Sequence, residues 1–323
     1  MFALPHQLSG KGIIGLNQRN AGIVLPFNDR SKYPLVDDKA QTKKLAQAAG
    51  LAVPPLYGDI GYAGQVKEFS KIIGDHKEFV IKPAQGAGGD GIVVIKDRFG
   101  DYFQKANGQL TDQDALLFHI QNSLGGVFSL GGQPDRVLIE YCVQFDPVFE
   151  KISYQGVPDV RVIVFFGVPV MAMVRLPTRM SDGRANLHQG AIGTGVDLTS
   201  GTTLTAVWLN KVIDRHPDTR EPVSGVSIPH WDEIMDISAR TYELTGLGYQ
   251  GVDVVLDRDM GPLILELNAR PGLNIQIANK AGLQPRLDKV MAHKDDFKTP
   301  DERVTFAREH FGAAHVPAPG GDN

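Results

Sequence analysis

The chain has 323 residues, 42% hydrophobic and 22% charged, with a net charge of −4. That is enough apolar material for one large or two interlocked domains with a buried site and no disulfides, and it argues against a general binder of nucleic acid or acidic membrane. The single cysteine, Cys142, cannot pair within the chain, which fits a reducing compartment. The stretch MFALPHQLSGKG lacks the apolar run of a signal peptide, and no later segment is long and apolar enough to span a bilayer. A cytoplasmic location without a membrane span is expected.

Residues 1–36 hold Gly12, Gly15, Gly22, Pro26 and Pro34 around the polar run Asn17-Gln18-Arg19-Asn20. Breakers at that density predict loop with one strand at most, too short for a core of its own. Asp37 and Asp38 then cap a helix that stops at Gly50, ahead of Pro54 and Pro55. A second helix is predicted over 64–74, a strand over 78–82, a loop over 83–91 and a strand over 92–96. Residues 111–124 read as helix, 123–132 as a glycine-rich break and 136–143 as a strand. Two strands over 159–176 flank the turn Gly167-Val168-Pro169. Residues 177–229, rich in Gly, Thr, Ser, Pro and Asp, form a long excursion of the kind that carries function. A helix over 231–245, a hairpin over 251–270 and a helix over 275–290 follow, and the tail ending in VPAPGGDN is expected to be disordered. Strands and helices mix without a βαβ rhythm, so the expected class is α+β with antiparallel sheets.

The C-terminal hairpin carries the sharpest chemistry. With its turn centred on Asp259 and Met260, Asp253 lies opposite Glu266, and Asn268 shares their face one step on. Oxygen-only ligands in that pattern suit Mg²⁺; the same acids could instead be satisfied by lysine, arginine or backbone donors. Residues 79–91 pair Lys82 with Gly86, Gly88, Gly89 and Gly91. A strand follows where a dinucleotide fingerprint needs a helix, and the Gly-Lys-Ser/Thr of a P-loop is absent. What remains is a glycine-tipped flap, either closing over phosphates with Lys82 at its base or an ordinary mobile hairpin. With Val168 at the centre of its turn, the 159–176 hairpin sets Arg161 opposite Arg175. Like charges across a ladder need an acid, for which Asp159 is available, or an anionic substrate group between them. Arg270, in Arg270-Pro271-Gly272, falls beside the metal candidates. His188, with Asn186, is a candidate substrate residue in the excursion, although most lone loop histidines face solvent.

These residues resemble the ATP-grasp superfamily of carboxylate–amine ligases over roughly 37–290, closest to the α-L-glutamate ligase-like branch related to ribosomal-protein glutamate ligases. Asp38-Lys39 with Thr42, Leu45, Gly50 and Pro54 is similar to the opening helix, and the Lys82-Pro83 strand to the flap strand. Glu140-Tyr141-Cys142-Val143 resembles the hinge, Asp159-Val160-Arg161 the Asp-x-Arg strand, and residues 251–272 the metal hairpin. The resemblance implies two α+β subdomains clamping ATP, with a truncated N-terminal domain. Residues 1–36 would be a short segment, 37–135 the opening helix and flap subdomain, 136–296 the second subdomain, and 297–323 a partly disordered tail. What a larger N-terminal domain does in such ligases would then fall to the loop over 15–20, to the 177–229 excursion or to a partner protein.

The resemblance also implies the roles. Lys39, Lys82, Gly86, Gly88, Gly89, Glu140, Tyr141, Cys142 and Val143 would bind ATP. Asp253, Glu266 and Asn268 would hold Mg²⁺, with Mn²⁺ as the alternative. Arg161 and Arg270 would stabilise the transferred phosphoryl group and the acyl oxyanion, and Arg175, Asn186 and His188 would meet substrate. ATP would phosphorylate a carboxylate, and an amine, such as that of glutamate, would displace phosphate from the acyl phosphate. The alternatives are a small-molecule kinase of the same fold and a silent ATP-binding partner subunit.

Overall fold

The computed structural model describes residues 5–86 and 88–312, so the tail VPAPGGDN lies outside the described residues. Contrary to the expectation of loop and strand, the N-terminal segment is a chain of short helices. These are α1 (Pro5–Gly10), α2 (Leu16–Arg19), a π turn over Asn20–Val24, α3 (Leu25–Phe27) and α4 (Pro34–Asp37). Pro26 and Pro34 sit in first turns, where a missing N–H costs no hydrogen bond. The next helix, α5 (Lys39–Ala48), starts as predicted: the Asp38 carboxylate accepts from Ala40 N at 2.8 Å and Gln41 N at 3.2 Å.

The first sheet is antiparallel, built from β1 (Leu56–Ile60), β2 (Phe79–Pro83), β3 (Val93–Phe99), β4 (Tyr102–Lys105), β5 (Leu110–Asp112) and β6 (Val137–Glu140) in the order β1-β6-β2-β3-β4-β5. One face carries Phe79, Ile81, Ile95, Phe103, Val137 and Ile139 into a core with Phe69, Leu116 and Ile120 of α6 (Phe69–Ile73) and α7 (Gln113–Leu124). Each such fully buried side chain contributes about 1.5–3 kcal/mol. The opposite face presents Val80, Lys82, Leu138 and Glu140, cross-strand neighbours in one register. β6 pairs with both β1 and β2, so the chain leaves this sheet only after Glu140.

The second sheet runs β11-β10-β9-β8-β7-β12-β13, from β7 (Asp159–Phe165), β8 (Val168–Leu176), β9 (Ile192–Val196), β10 (Thr203–Trp208), β11 (Lys211–Ile213), β12 (Tyr249–Asp257) and β13 (Gly261–Asn268). Three of its strands thus come from the 177–229 excursion. Helix α8 (Trp231–Thr245) packs on it as predicted. The expected helix over 275–290 is instead α9 (Ile275–Ala278) and α10 (Gln284–His293), with Gly282 between them pressed against the backbone of Lys11 and Gly12. Part of the expected tail is α11 (Pro300–Phe311), which Thr299 and Glu302 open with a capping box. Its Arg303 bonds Glu243 of α8.

Two hairpins set the register of the site. β12 and β13 join through three residues, with Asp257 opposite Gly261; an irregularity beside Asp253 then brings Asp253 opposite Glu266. The predicted pair is therefore correct, though the turn is one residue longer and a bulge at Leu265 compensates. In β7–β8 the turn is Phe166-Gly167 and the register slips between Ile163 and Val164. Arg161 therefore faces Met173, and Arg175 faces Asp159, not Arg161 as the sequence predicted.

Candidate functional site

Helix α5 lies over the open face of the first sheet, joined to it by Ala40, Ala84 and Leu138. It delivers Lys39 and Lys43, one turn apart, into one cleft. Lys43 Nζ lies 2.8 Å from Glu140 Oε2 and donates to Pro54 O at 2.7 Å, while Lys82 Nζ bonds the other Glu140 oxygen. Burial pushes the Glu140 carboxyl up, but Lys82 and Lys43 outweigh it and hold it below the usual range. Burial lowers Lys43 to about 8 despite Glu140. Lys39 Nζ donates to Gly86 O at 2.8 Å and lies 3.5 Å from Glu266 Oε1, linking flap and hairpin. Lys43 was not singled out from sequence. Its signal was present: it follows Lys39 by four residues, on the buried stripe of α5 that also holds Ala40 and Thr42.

The flap turns on Gly88 and Gly89, at φ 68° and 85°, a left-handed backbone that suits glycine. Its tip reaches the excursion: Asn186 Nδ2 donates to Gly88 O at 3.4 Å and Arg184 Nη1 lies 3.2 Å from Asp90 Oδ1. The receiving loop is stiff. Thr178 Oγ1 and Trp208 Nε1 both donate to Gly190 O at 2.8 Å, and buried His216 Nε2 lies 3.0 Å from Pro177 O. Arg184 was missed in the sequence, although it shares the short run Arg184-Ala185-Asn186 with a named candidate. His188 is exposed, and its ring makes no bond among the described residues.

Across the second sheet, β7, β12 and β13 place Arg161, Asp253 and Glu266 in one transverse row. Arg161 grips Asp253 with Nε to Oδ1 at 2.6 Å and Nη2 to Oδ2 at 2.5 Å. Arg175 Nη2 reaches the same Asp253 Oδ2 at 2.7 Å, and Arg175 holds Asp159 with Nε to Oδ1 at 2.6 Å and a second bond to Oδ2. Burial pushes both acids up; Arg161 and Arg175 bring Asp253 below its ordinary value. Asp159, with Arg175 opposing burial and Asp253 reinforcing it, is raised to about 6. The acid that separates the two arginines is thus supplied by the protein itself.

Among the described residues no group of three or more His, Cys, Asp and Glu side chains is arranged to hold a metal. Glu266 and Asn268 nevertheless fit a hard cation: both are half-buried oxygen donors on one face, with Lys39 the cationic neighbour of Glu266. Asp253 fits only as a third donor whose oxygens are already engaged. Arg270 stands beside them, its guanidinium 5.2 Å from the centroid of Tyr33. Its backbone is fixed by Arg19, whose Nη1 donates to Arg270 O at 3.3 Å and Pro271 O at 2.8 Å. Burial raises the carboxyl of Asp37, which feels Arg270, Lys39 and Glu266. At the hinge, Tyr141 N donates to Pro55 O and Cys142 O accepts from Gln144 Nε2, both at 2.9 Å. Apolar Val143, Val255 and Leu263 pack beside it with Tyr141 and Leu265.

A hinge between two antiparallel sheets, a glycine flap and lysines bounding a cleft together define an ATP-grasp fold. Residues 18–292 match the sugar-transfer associated ATP-grasp family, and the chain belongs to it. A probable alpha-L-glutamate ligase of Maridesulfovibrio salexigens is 31% identical over 126 residues, 39% of this chain and 31% of that protein. One from Syntrophotalea carbinolica is 27% identical over 163 residues, 50% of this chain and 38% of that protein. Each match thus spans about a third of the relative's length. Among solved structures, VanG D-Ala:D-Ser ligase from Enterococcus faecalis is similar at a TM-score of 0.46 and 14% identity, over 82% of this chain and 64% of that one. D-alanine–D-alanine ligase from Bacillus anthracis gives 0.45 and 14%, over 94% and 79%. No helix among the described residues is long and apolar enough to cross a membrane.

Proposed function

We propose that the chain is an ATP-dependent ligase that activates a carboxylate as an acyl phosphate and joins it to an amine, with glutamate as the leading amino-acid substrate. The observation that carries this reading is the meeting of Lys39 with both the flap and Glu266, which brings the glycine flap and the candidate oxygen ligands to one lysine. Lys39, Lys43 and Lys82 provide point charges for a triphosphate. The hinge backbone at Tyr141 and Val143 would meet the edge of a base. Glu266 and Asn268, joined by Asp253, would hold Mg²⁺, which when bound neutralises charge on the transferring phosphoryl group. Arg161 and Arg270 would stabilise that group and the acyl oxyanion. The flap, seated on Asn186 and Arg184, excludes water that would otherwise hydrolyse the acyl phosphate.

The test is a hydroxylamine trap with ATP, Mg²⁺ and pools of amino acids, peptides and small acids, with Glu266→Gln as control. Hydroxamate formed by the native protein and lost in the variant is expected. A stable phosphoester with ADP and no hydroxamate would establish a kinase instead. ATP binding without ADP release in every pool would favour the silent partner subunit.

A further inference from the structure

The Asp253 carboxylate is buried and fully engaged, which limits how a cation can reach it. Arg175 is held from two sides, by both oxygens of Asp159 and by Asp253 Oδ2. Among the described residues Arg161 has one carboxylate partner, Asp253, and it alone bonds Oδ1. If one guanidinium leaves, it is therefore Arg161, and the oxygen set free is Oδ1. Arg175 keeps Asp253 oriented through Oδ2.

The surrounding charges decide what drives the exchange. Around the metal position Lys39, Arg161, Arg175 and Arg270 face Asp37, Asp159, Asp253 and Glu266, so each acid is already matched by a cation. A bare divalent ion gains little from such a cluster and meets two guanidiniums at its third ligand. An arriving triphosphate shifts the balance: it supplies an anion for Arg161 and releases Oδ1 to the cation. Arginine suits this role because its planar fork fits carboxylate and phosphate equally well.

Resting on the ligase reading above, we infer that Arg161 is an exchangeable guard on Asp253, so that the metal position is completed by nucleotide phosphates and is closed to the free ion. The site thereby avoids loading with metal before nucleotide.

The test reads metal binding directly, by electron paramagnetic resonance of Mn²⁺ titrated into the full chain with and without a non-hydrolysable ATP analogue. Native protein should bind free Mn²⁺ weakly and at least tenfold more tightly with the analogue present. Arg161→Met should bind free Mn²⁺ at least tenfold more tightly than native protein without nucleotide, and Arg161→Met with Asp253→Asn should lose that gain. Arg161→Lys, which keeps the charge but not the fork, should lie between and serves if the methionine variant fails to fold. Native protein that binds free Mn²⁺ as tightly as either Arg161 variant overturns the inference. A calorimetric titration showing no ADP binding would overturn the nucleotide reading instead, while the nucleotide-free comparison still decides whether Arg161 guards Asp253.

Discussion

Glu140→Gln tests the charge logic of the cleft at its most buried point. The carboxylate is only 3% exposed and is the shared counter-charge of Lys43 and Lys82. Holding Lys43 at about 8 rather than 10.5 already costs the fold about 3 kcal/mol at neutral pH. Removing one member of a buried ion pair costs about 3–5 kcal/mol, because the remaining charge is left uncompensated. Glutamine keeps the shape and can still accept a hydrogen bond, so a loss of about 4 kcal/mol is expected, roughly 6 °C in Tm for a chain of this size. Urea and thermal unfolding followed by circular dichroism would measure it. Adding Lys43→Met should recover about half, since it removes the stranded ammonium. A single variant within about 1 kcal/mol of native, or a double variant less stable than the single, would refute the reasoning.

Two further outcomes are expected. Arg270→Ala should lower turnover by about a hundredfold, as losses of positioned transition-state donors do, while ADP affinity changes less than threefold; equal losses would make it a nucleotide clamp. Lys43, with its folded value lowered to about 8, binds fewer protons when folded than unfolded between pH 8 and 10.5, so its contribution to stability rises with pH across that window. Phosphate favours its charged form, so ADP binding near pH 8 should take up a proton and weaken as pH rises. Calorimetry in two buffers of different ionisation enthalpy checks this, and identical heats would refute it.

The order of motifs was legible because strands of nine and eight residues, β12 and β13, are too apolar for surface loops and yet carry acids. Register was less legible. Asp253 meets Glu266 through two compensating irregularities, whereas in β7–β8 the shorter turn and its slip do not cancel, and Arg175 moves onto Asp159. The strand Ile192-Gly193-Thr194-Gly195-Val196 hid because glycine and threonine mimic loop composition, though all five residues are buried. Its Gly195 leaves room for the Ala278 carbonyl of α9. The N-terminal helices hid for the opposite reason: their prolines were read as breaks when they occupy first turns. The α11 capping box could have been read directly from Thr299, Pro300 and Glu302.

Asn28 holds both backbone groups of Tyr249, donating to its carbonyl at 2.7 Å and accepting from its N–H at 2.8 Å, and it donates to Ala269 O at 3.1 Å. Gln276 does the same for Ile14, with both bonds at 3.0 Å. These partners lie 221 and 262 residues apart in the chain. On the ribosome, a segment made early thus waits for strands made late, an interval of roughly 10–50 s at about 5–20 residues per second. During that interval Ile14, Ile23 and Val24 lack the late-made part of their core, Val252, Leu267 and Ile275 among it. The helices that brace Arg270 are therefore the first of the site's parts to be synthesised and among the last to find their place, which makes this stretch a natural customer for a chaperone.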